Sequence, residues 1–272
     1  MIRLTGVELT APCPPDTRAA APTALLSGID LCIRREEYVC LVGRNGAGKS
    51  LLLQLVAGLK SPTQGQITFV EANASRPGIV FQNPDDQIVG STVERDLAFG
   101  LENSGLAPAE IRRRVDEALE WSGLAPDARR PPHLLSDGQK QRLALTSTLL
   151  LDPDLLLLDE PTSRLDPVAR SVFLREVRRF HERSGAAVVH VSHRSEEILP
   201  ATRVVALAEG RIVFDGSPRE LVDSPDADGF GILWSDLHRL RRELGHRGLE
   251  LRDCRGDDWN RAEPLLASLG AT

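Results

Sequence analysis

One stretch of this 272-residue chain decides its fold: Gly43-Arg44-Asn45-Gly46-Ala47-Gly48-Lys49-Ser50. An apolar, strand-like segment beginning at Tyr38 precedes it, and residues 50–59 after it have the leucine content of a helix that ends at Gly58. Glycines let successive backbone N–H groups turn toward phosphate oxygens, and the helix N-terminus adds its positive end. Lys49 then reaches the β- and γ-phosphates, and Ser50 offers a hydroxyl to Mg²⁺. The stretch predicts a phosphate-binding loop, and all eight of its residues are candidate ligands.

A second segment brings two carboxylates to the end of an apolar strand. Four consecutive leucines, residues 155–158, lead directly into Asp159 and Glu160. Asp159 is a candidate Mg²⁺ ligand through water, and Glu160 is a candidate for polarising an attacking water. The alternative is a strand that merely ends in two solvated acids. Together with the phosphate loop, the pair indicates a P-loop nucleotide hydrolase.

The rest of the chain has the pattern of an α/β domain with an insertion. Strand patterns occur at 2–9, 29–42, 66–70, 78–81, 155–159, 187–191 and 203–207. Residues 10–23 are rich in Pro and Ala and predict a loop, a helix is expected at 168–183, and about 83–150 is helical in texture. We expect one domain over 1–225 with the helical subdomain inserted, and a small helical extension over 226–272. Within the extension, Leu233, Leu237, Leu240 and Leu244 form an amphipathic stripe that suits packing on its own domain or on a partner subunit.

Composition excludes several classes of protein. Hydrophobic residues make up 41% and charged residues 26%, the balance of a soluble globular protein. Apolar runs fall short of the roughly 20 residues of a spanning helix, so we expect any membrane role to be peripheral. The N-terminus lacks the pattern of a signal peptide, which favours the cytoplasm. A net charge of -6 argues against a general nucleic-acid binder, and arginine clusters such as 112–114 and 239–242 are interpreted as solvated helix faces.

The four cysteines do not point to a metal or redox site. They stand at positions 13, 32, 40 and 254 and include no CxxC spacing. Cys32 and Cys40 lie in strand-like segments and are interpreted as small core residues.

A third motif narrows the class of hydrolase. The segment Leu135-Ser136-Asp137-Gly138-Gln139-Lys140-Gln141-Arg142 resembles the signature sequence of the ATP-binding cassette (ABC) family. The resemblance implies an ABC ATPase fold: a P-loop core with a mixed sheet, an N-terminal antiparallel β-subdomain and an inserted helical subdomain. It also implies that Ser136, Gly138 and Gln139 contact the ATP bound to an opposite ABC ATPase subunit, identical or similar, in a dimer with two composite sites.

Three more positions match motifs of that family in order. Gln82 resembles the glutamine that links the Mg²⁺ site to the helical subdomain, which makes it a catalytic and a metal-site candidate. The sequence Ser163-Arg164-Leu165-Asp166 resembles the loop that touches the other subunit's phosphate loop. His193 resembles the switch histidine that contacts the γ-phosphate and orients the water. His190 matches no motif and is interpreted as structural.

The segment around Gln82 suggests a subtype. Residues 80–89, together with 92–94 and 98–103, resemble the ATPases of energy-coupling-factor importers for vitamins or for transition-metal ions. That resemblance implies an integral transmembrane coupling protein and a substrate-binding membrane subunit as partners, with this chain at the inner face of the cell membrane. Asp85 and Asp86 are candidate docking residues for the coupling protein. The alternative is a solvated acidic loop.

The sequence departs from the family pattern at three places. No Phe, Tyr or Trp stands between Met1 and Tyr38, so the aromatic residue that usually stacks on adenine is expected to be absent. Leu51 replaces a second hydroxyl residue after the phosphate-loop serine, and Asp137 replaces the first glycine of the signature. Two alternative functions stay open: a nucleotide-dependent regulatory or binding module, in which the altered base pocket and Asp137 leave little turnover, and an ABC ATPase of DNA repair or translation.

Overall fold

The computed structural model describes residues 1–11, 23–69, 77–236 and 238–239. In chain order, its strands and α-helices are β1 (Ile2–Thr10), β2 (Ala24–Ile33), β3 (Tyr38–Val42), α1 (Lys49–Val56), β4 (Gln64–Phe69), β5 (Gly78–Val80), α2 (Val93–Glu102), α3 (Pro108–Ser122), α4 (Asp137–Leu149), β6 (Leu155–Asp159), α5 (Pro167–Ser184), β7 (Ala187–Val191), α6 (Ser195–Ile198), β8 (Arg203–Ala208), β9 (Arg211–Gly216) and α7 (Pro218–Asp223). Among these residues, no helix is both long and apolar enough to cross a membrane.

The described residues cluster into two compact units. The first consists of Met1, Arg34–Glu36 and the described part of Phe69–Val189; the second consists of the described residues in Ile2–Ile33, Glu37–Thr68 and from His190 onward. The predicted boundaries of the inserted subdomain, 83 and 150, and of the C-terminal extension, 225, stay predictions. Residues 237 and 240–272 of the extension lie outside the described part of the chain.

In the first unit, strands β5, β6 and β7 are neighbours in that order. β5 and β6 pair in parallel, with Gly78 opposite Leu156 and Val80 opposite Leu158. Every residue of β6 is buried, as expected of a parallel strand covered on both faces, and this confirms the continuous apolar run as a strand. The strand therefore delivers Asp159 and Glu160 at its carboxyl end.

The helical part of the first unit has its own apolar core. Buried residues of α2, α3 and α4 meet there: Val93, Leu97, Leu101, Val115, Ala118, Leu119 and Leu143, with Leu124 and Leu135 from the connections. The predicted solvated face is confirmed on α3, where Arg113 pairs with Glu110 and Glu117 at 2.7 and 2.6 Å. Hydrogen bonds from Arg113 and from Arg114 lower the pKa of the Glu110 carboxyl to about 2. Helices α2, α3 and α4 thus share an apolar core of their own, and they directly precede β6 in the chain.

In the second unit, a three-stranded sheet orders its strands β2-β1-β4, and β1 pairs antiparallel with β2. Ile2, Leu4, Val7 and Leu9 of β1 face Ile33, Leu31, Ile29 and Leu26 of β2, and all eight are buried. A second group of strands pairs β3 in parallel with β8, and β8 antiparallel with β9. The mixed pairing and the antiparallel N-terminal sheet match the predicted fold class.

The β-rich patch at 29–42 comprises the end of β2 and all of β3, with a turn at Arg34–Glu37 between them that places Glu36 at φ 61°. Two local predictions need correction. Helix α1 starts at Lys49 and ends at Val56, before the predicted end at Gly58. Leu233 does not lie on a helix but forms a parallel bridge with Arg194, because its backbone groups pair with the chain around His193. Leu237, Leu240 and Leu244 lie outside the described residues.

Candidate nucleotide site

The phosphate loop joins β3 to α1 in the second unit, and its shape depends on glycine. Gly43 and Gly48 have φ of 148° and 101°. A Cβ atom on Gly43 would lie 2.4 Å from the Leu207 carbonyl oxygen, and one on Gly48 would lie 2.6 Å from Cδ2 of Leu26. Real Cβ atoms are not found that close to other atoms, so both positions require glycine on steric grounds.

Helix α1 begins in a way that suits an anion. Among the described residues, no side chain caps its N-terminus and its first turn contains no acidic residue. Lys49 is buried, and its Nζ donates to the carbonyl oxygens of Gly43 at 2.8 Å and Arg44 at 3.3 Å. The positive end of the helix and the Lys49 ammonium group thus lie together at the loop, where both would attract a phosphate.

Residues 192–194 between β7 and α6, here called the switch loop, are also part of the second unit. His193 follows β7, and its ring atom Nδ1 lies 3.1 Å from the carbonyl oxygen of Gly231. Gly231 in turn packs against the phosphate loop, since a Cβ placed on it would lie 3.2 Å from Cα of Arg44. The structure therefore links the predicted switch histidine to the predicted phosphate loop through one residue, Gly231, that sequence reasoning missed.

Behind the switch loop lies a buried polar network. Nδ1 of His190 contacts the Tyr38 hydroxyl at 3.1 Å, and its Nε2 faces Oε2 of Glu197 at 3.4 Å. Ser192 donates its hydroxyl to the same Glu197 oxygen at 2.7 Å. Burial lowers the pKa of His190, while Glu197 pushes it upward. His190 is therefore a core residue that braces the segment before His193.

Cys40 of β3 lies in the same interior. It is fully buried, and burial, followed by the nearby Glu197 carboxylate, raises the pKa of its thiol well above the usual range. This agrees with its interpretation as a small core residue. Cys32 is half-buried in β2, and Cys13 and Cys254 lie outside the described residues.

In the first unit, the end of β6 gathers three predicted residues. Asp159 is buried, and Glu160 directly after it has φ 47°, a left-handed conformation that few non-glycine residues adopt. Nε2 of Gln82 lies 3.5 Å from Oε2 of Glu160 and 3.4 Å from Oγ of Ser163. The structure thus brings the predicted glutamine, the predicted water-polarising carboxylate and the start of the 163–166 loop together.

The signature segment starts helix α4. Oγ of Ser136 accepts from the Gln139 backbone N–H at 3.3 Å, and Oε1 of Gln139 accepts from the Ser136 N–H at 3.0 Å, a capping box. Nε2 of Gln139 also donates to Oδ2 of Asp127 at 2.7 Å. Asp137 is the first residue of the helix. Both predicted nucleotide contacts, Ser136 and Gln139, are thus engaged in closing the helix N-terminus.

Two glutamines that the sequence analysis did not single out as site residues tie the Gln82 segment to α4. Gln141 donates to the carbonyl oxygen of Phe81 at 3.0 Å. Gln87 accepts from the Phe81 N–H at 3.2 Å and donates to Oγ1 of Thr148 at the same distance. A buried amide such as that of Gln141 needs a hydrogen-bonding partner, but its charged neighbours Lys140 and Arg142 give no sign of this burial. Hydrogen bonds therefore connect the segment around Gln82 to α4, the helix that begins at the signature segment.

The two candidate docking carboxylates have different partners. Oδ1 of Asp85 forms an ion pair with Nζ of Lys140 at 2.8 Å, while the Asp85 side chain stays 59% exposed. Asp86 accepts from Nδ2 of Asn83 at 2.9 Å. Asp85 is therefore both accessible and linked to the signature helix.

The ABC transporter family matches residues 26–163. The energy-coupling factor transporter ATP-binding protein EcfA1 of Symbiobacterium thermophilum is 47% identical over 218 residues, which cover 76% of each chain. The structure of cbiO1 from Clostridium perfringens, described as part of the ABC transporter complex cbiONQ, aligns with a TM-score of 0.70 at 30% identity over 91% of this chain and 96% of that one.

A dimeric bacterial ABC transporter cassette aligns with a TM-score of 0.71 at 25% identity, covering 80% of this chain and 99% of the cassette. Family, relatives and solved structures agree on one kind of protein. The chain belongs to the ABC transporter family as an ATPase subunit, similar to the ATP-binding proteins of energy-coupling factor transporters.

Proposed function

We propose that this ATPase powers a membrane importer of the energy-coupling-factor kind by closing as a dimer on ATP and reopening after hydrolysis. The observation that supports it most is the phosphate loop: two sterically required glycines, an α1 N-terminus without acids, and a buried lysine at the loop carbonyls. The similarity to EcfA1 and to the cbiO1 component of a transporter complex supports the import role.

In this proposal each predicted site residue has a role at the phosphates. The backbone N–H groups of residues 43–50 and the ammonium of Lys49 bind the β- and γ-phosphates. Glu160 polarises the attacking water. Gln82 lies beside Glu160 and links the Mg²⁺ site to the helical subdomain. His193 contacts the terminal phosphate and helps to place that water.

The donor set suits Mg²⁺, which prefers oxygen ligands and few protein groups. The Ser50 hydroxyl, the buried Asp159 carboxylate and the amide oxygen of Gln82 are the residues that would hold it, Asp159 through water. When bound, the ion neutralises charge on the phosphates.

The second half of each site is proposed to come from a second ABC ATPase subunit, identical or similar. Ser136, Gly138 and Gln139 at the start of α4 are the residues that would meet the partner's nucleotide. The dimeric cassette among the structural relatives supports this arrangement. A chain held as a monomer should then hydrolyse ATP poorly.

The proposed membrane partners are an integral transmembrane coupling protein and a substrate-binding membrane subunit, with this chain at the cytoplasmic face of the membrane. Asp85 is the strongest docking candidate because it is exposed and its ion pair leads to Lys140 of the signature helix. An arginine from a coupling helix would compete for that carboxylate. The ion pair between Asp85 and Lys140 thus connects the proposed docking residue to helix α4.

The test is purification of the chain from its own membranes together with its copurifying integral proteins. We expect ATP hydrolysis by that complex and loss of hydrolysis, without loss of ATP binding, in Glu160→Gln. The matched control is Glu120→Gln, an exposed carboxylate on α3. The proposal fails if no membrane protein copurifies, or if Glu160→Gln hydrolyses ATP at the rate of the control.

One observation favours the low-turnover module as a second candidate. Asp137 places a carboxylate at the first position of α4, where a partner's γ-phosphate is proposed to bind. Single-turnover hydrolysis by the membrane complex separates the two functions. A complex that binds ATP tightly and hydrolyses less than one equivalent would favour the regulatory module.

A further inference from the structure

Residues 231–235, here called the strap, run beside the switch loop as a short partner strand. The Leu233 N–H donates to the His193 carbonyl oxygen at 2.6 Å, and the Ser195 N–H donates to the Leu233 carbonyl oxygen at 3.2 Å. Arg194 and Leu233 form a parallel bridge. The backbone of the switch loop is therefore hydrogen-bonded to the strap on both sides of Arg194.

The strap is anchored in the core of the second unit. Ile232 and Trp234 are buried there with Cys40, Val42 and Ile198, whereas Leu233 between them is 59% exposed. This alternation is that of a strand on an apolar surface. The strap thus has a packed inner face, which gives it a defined position against the switch loop.

Side chains close the far end of the strap. The Ser235 N–H donates to Oγ of Ser195 at 3.0 Å. His238, which is buried, contacts Oγ of Ser195 at 2.7 Å and Oγ of Ser235 at 2.9 Å. Ser195 opens α6 directly after the switch loop, so strap and loop are joined at both ends.

At its near end the strap touches both parts of the nucleotide site in this unit. Gly231 has φ 71°, and a Cβ on it would lie 3.2 Å from both Cα and Cγ of Arg44. Its carbonyl oxygen lies 3.1 Å from Nδ1 of His193. A side chain at this position would strain the backbone and press on the phosphate loop.

The Gly231 carbonyl oxygen determines which nitrogen of His193 carries the proton. A carbonyl oxygen only accepts hydrogen bonds, so Nδ1 is the protonated atom. In the neutral ring, Nε2 is then an acceptor, and it becomes a donor only after a second proton binds. The contact fixes the tautomer and the orientation of the ring together.

We propose that the strap positions His193 for hydrolysis, with Gly231 as a positioning residue that holds the Nδ1–H tautomer and presents Nε2 to the attacking water. The inference rests on the proposed role of His193 at the terminal phosphate. It adds that the strap, which follows α7 and belongs to neither the phosphate loop nor the signature segment, determines whether His193 is oriented for hydrolysis.

The test compares Gly231→Ala with Gly229→Ala in the full-length chain purified with its membrane partners. Gly229 is two residues away, and a Cβ on it would meet nothing within 4 Å. Because the added methyl group would disturb the His193 contact and also press on Arg44, we expect Gly231→Ala to lower kcat by at least about five-fold with a smaller rise in the Kd for ATP, and Gly229→Ala to change neither. Equal kcat values in the two variants would overturn the proposal.

A second measurement needs no change in the strap. Two-bond ¹⁵N–¹H spectra of histidine-labelled protein distinguish the two tautomers of a neutral ring, and His193→Gln assigns the His193 signals by their loss. We expect Nδ1–H in the unaltered chain and a changed pattern in Gly231→Ala. A neutral His193 protonated at Nε2 would overturn the proposal, and so would a Kd for ATP that rises in step with the fall in kcat while the His193 spectrum stays unchanged.

His193→Gln also separates this inference from the function on which it rests. If that variant keeps full ATPase activity, the proposed role of His193 is wrong. If it loses activity while Gly231→Ala does not, the role of His193 stands and only the positioning by the strap fails.

Discussion

Helices α1 and α4 both begin at residues predicted to meet ATP, yet their N-termini are built in opposite ways. Among the described residues, α1 has no side-chain cap and no acid in its first turn, and its N-cap is Gly48. Helix α4 is closed by the reciprocal hydrogen bonds of Ser136 and Gln139 and carries Asp137 at its first position. Because the positive end of a helix attracts anions, and α1 has neither a side-chain cap nor an acid there, α1 is prepared for phosphate within one chain. Helix α4 is satisfied internally, which fits an element that meets a nucleotide only when a second subunit arrives.

The largest effect should come from removing the cation at α1. Lys49→Ala deletes the buried ammonium that now donates to Gly43 and Arg44, and we expect ATPase activity to fall at least about 100-fold, because the terminal phosphates lose their fixed counter-charge. Steady-state ATPase assays measure this. Lys60→Ala, an exposed lysine beyond α1, serves as the control and should leave the activity within about two-fold.

The next effect concerns the shape of the α1 N-terminus. Gly48→Ala would place a Cβ 2.6 Å from Cδ2 of Leu26 at φ 101°, so we expect ATP affinity to weaken about ten-fold or more. Gly58→Ala is the matched control, since Gly58 has φ 73° but open space around its Cβ position. Isothermal titration with ATP distinguishes them. Similar affinities in the two variants would mean that the close approach at Leu26 is unimportant for the loop.

The α4 cap offers a matched pair within the molecule. Ser136 and Ser217 both close capping boxes, at α4 and α7. Each Ser→Ala change should lower the free energy of unfolding by about 1 kcal/mol. Ser136→Ala should in addition lower ATPase activity about ten-fold if its hydroxyl moves from the cap to a partner's phosphate. Equal activity of the two variants in ATPase assays would remove Ser136 from the nucleotide site.

The smallest effect tests the charge at α4. Asp137→Asn removes a carboxylate that favours the helix N-terminus but would repel a γ-phosphate, so we expect turnover to rise about two- to five-fold and the helix to lose a few tenths of a kcal/mol. Asp127→Asn, which changes a neighbouring carboxylate bonded to Gln139, controls for general charge effects. An unchanged or lower kcat in Asp137→Asn would show that the carboxylate does not oppose the nucleotide.

The elements that could be predicted from the sequence are those whose causes are local. Strands β6, β7 and β8 are continuous apolar runs, and the phosphate loop depends on glycines at set spacings, so pattern alone located them. The start of β3 at Tyr38 was predicted, but the left-handed conformation of Glu36 in the turn before it is not signalled by its residue type. The proximity of Gln82 to Glu160 was inferred only through family resemblance, since residues 78 positions apart share no local pattern.

The strap was missed because the predicted helix starts too early in the chain. Leucines at 233, 237, 240 and 244 suggested a helix from Leu233, whereas Leu233 forms backbone hydrogen bonds with the switch loop and the helical residues Asp236, His238 and Arg239 come only after it. The tertiary pairing overrides helical spacing, and periodicity carries no information about it. The same holds for Gln87 and Gln141, whose partners lie on other elements.

Cys40 lies three positions before Gly43, and its burial has a practical consequence. Only a thiolate reacts readily with alkylating reagents, and a raised pKa keeps this sulfur in the thiol form at neutral pH. Maleimides and iodoacetamide should therefore leave it unmodified in the native protein and label it only when β3 separates from its neighbours. Its labelling rate would report how often the sheet beneath the nucleotide opens, and bound ATP should slow that rate.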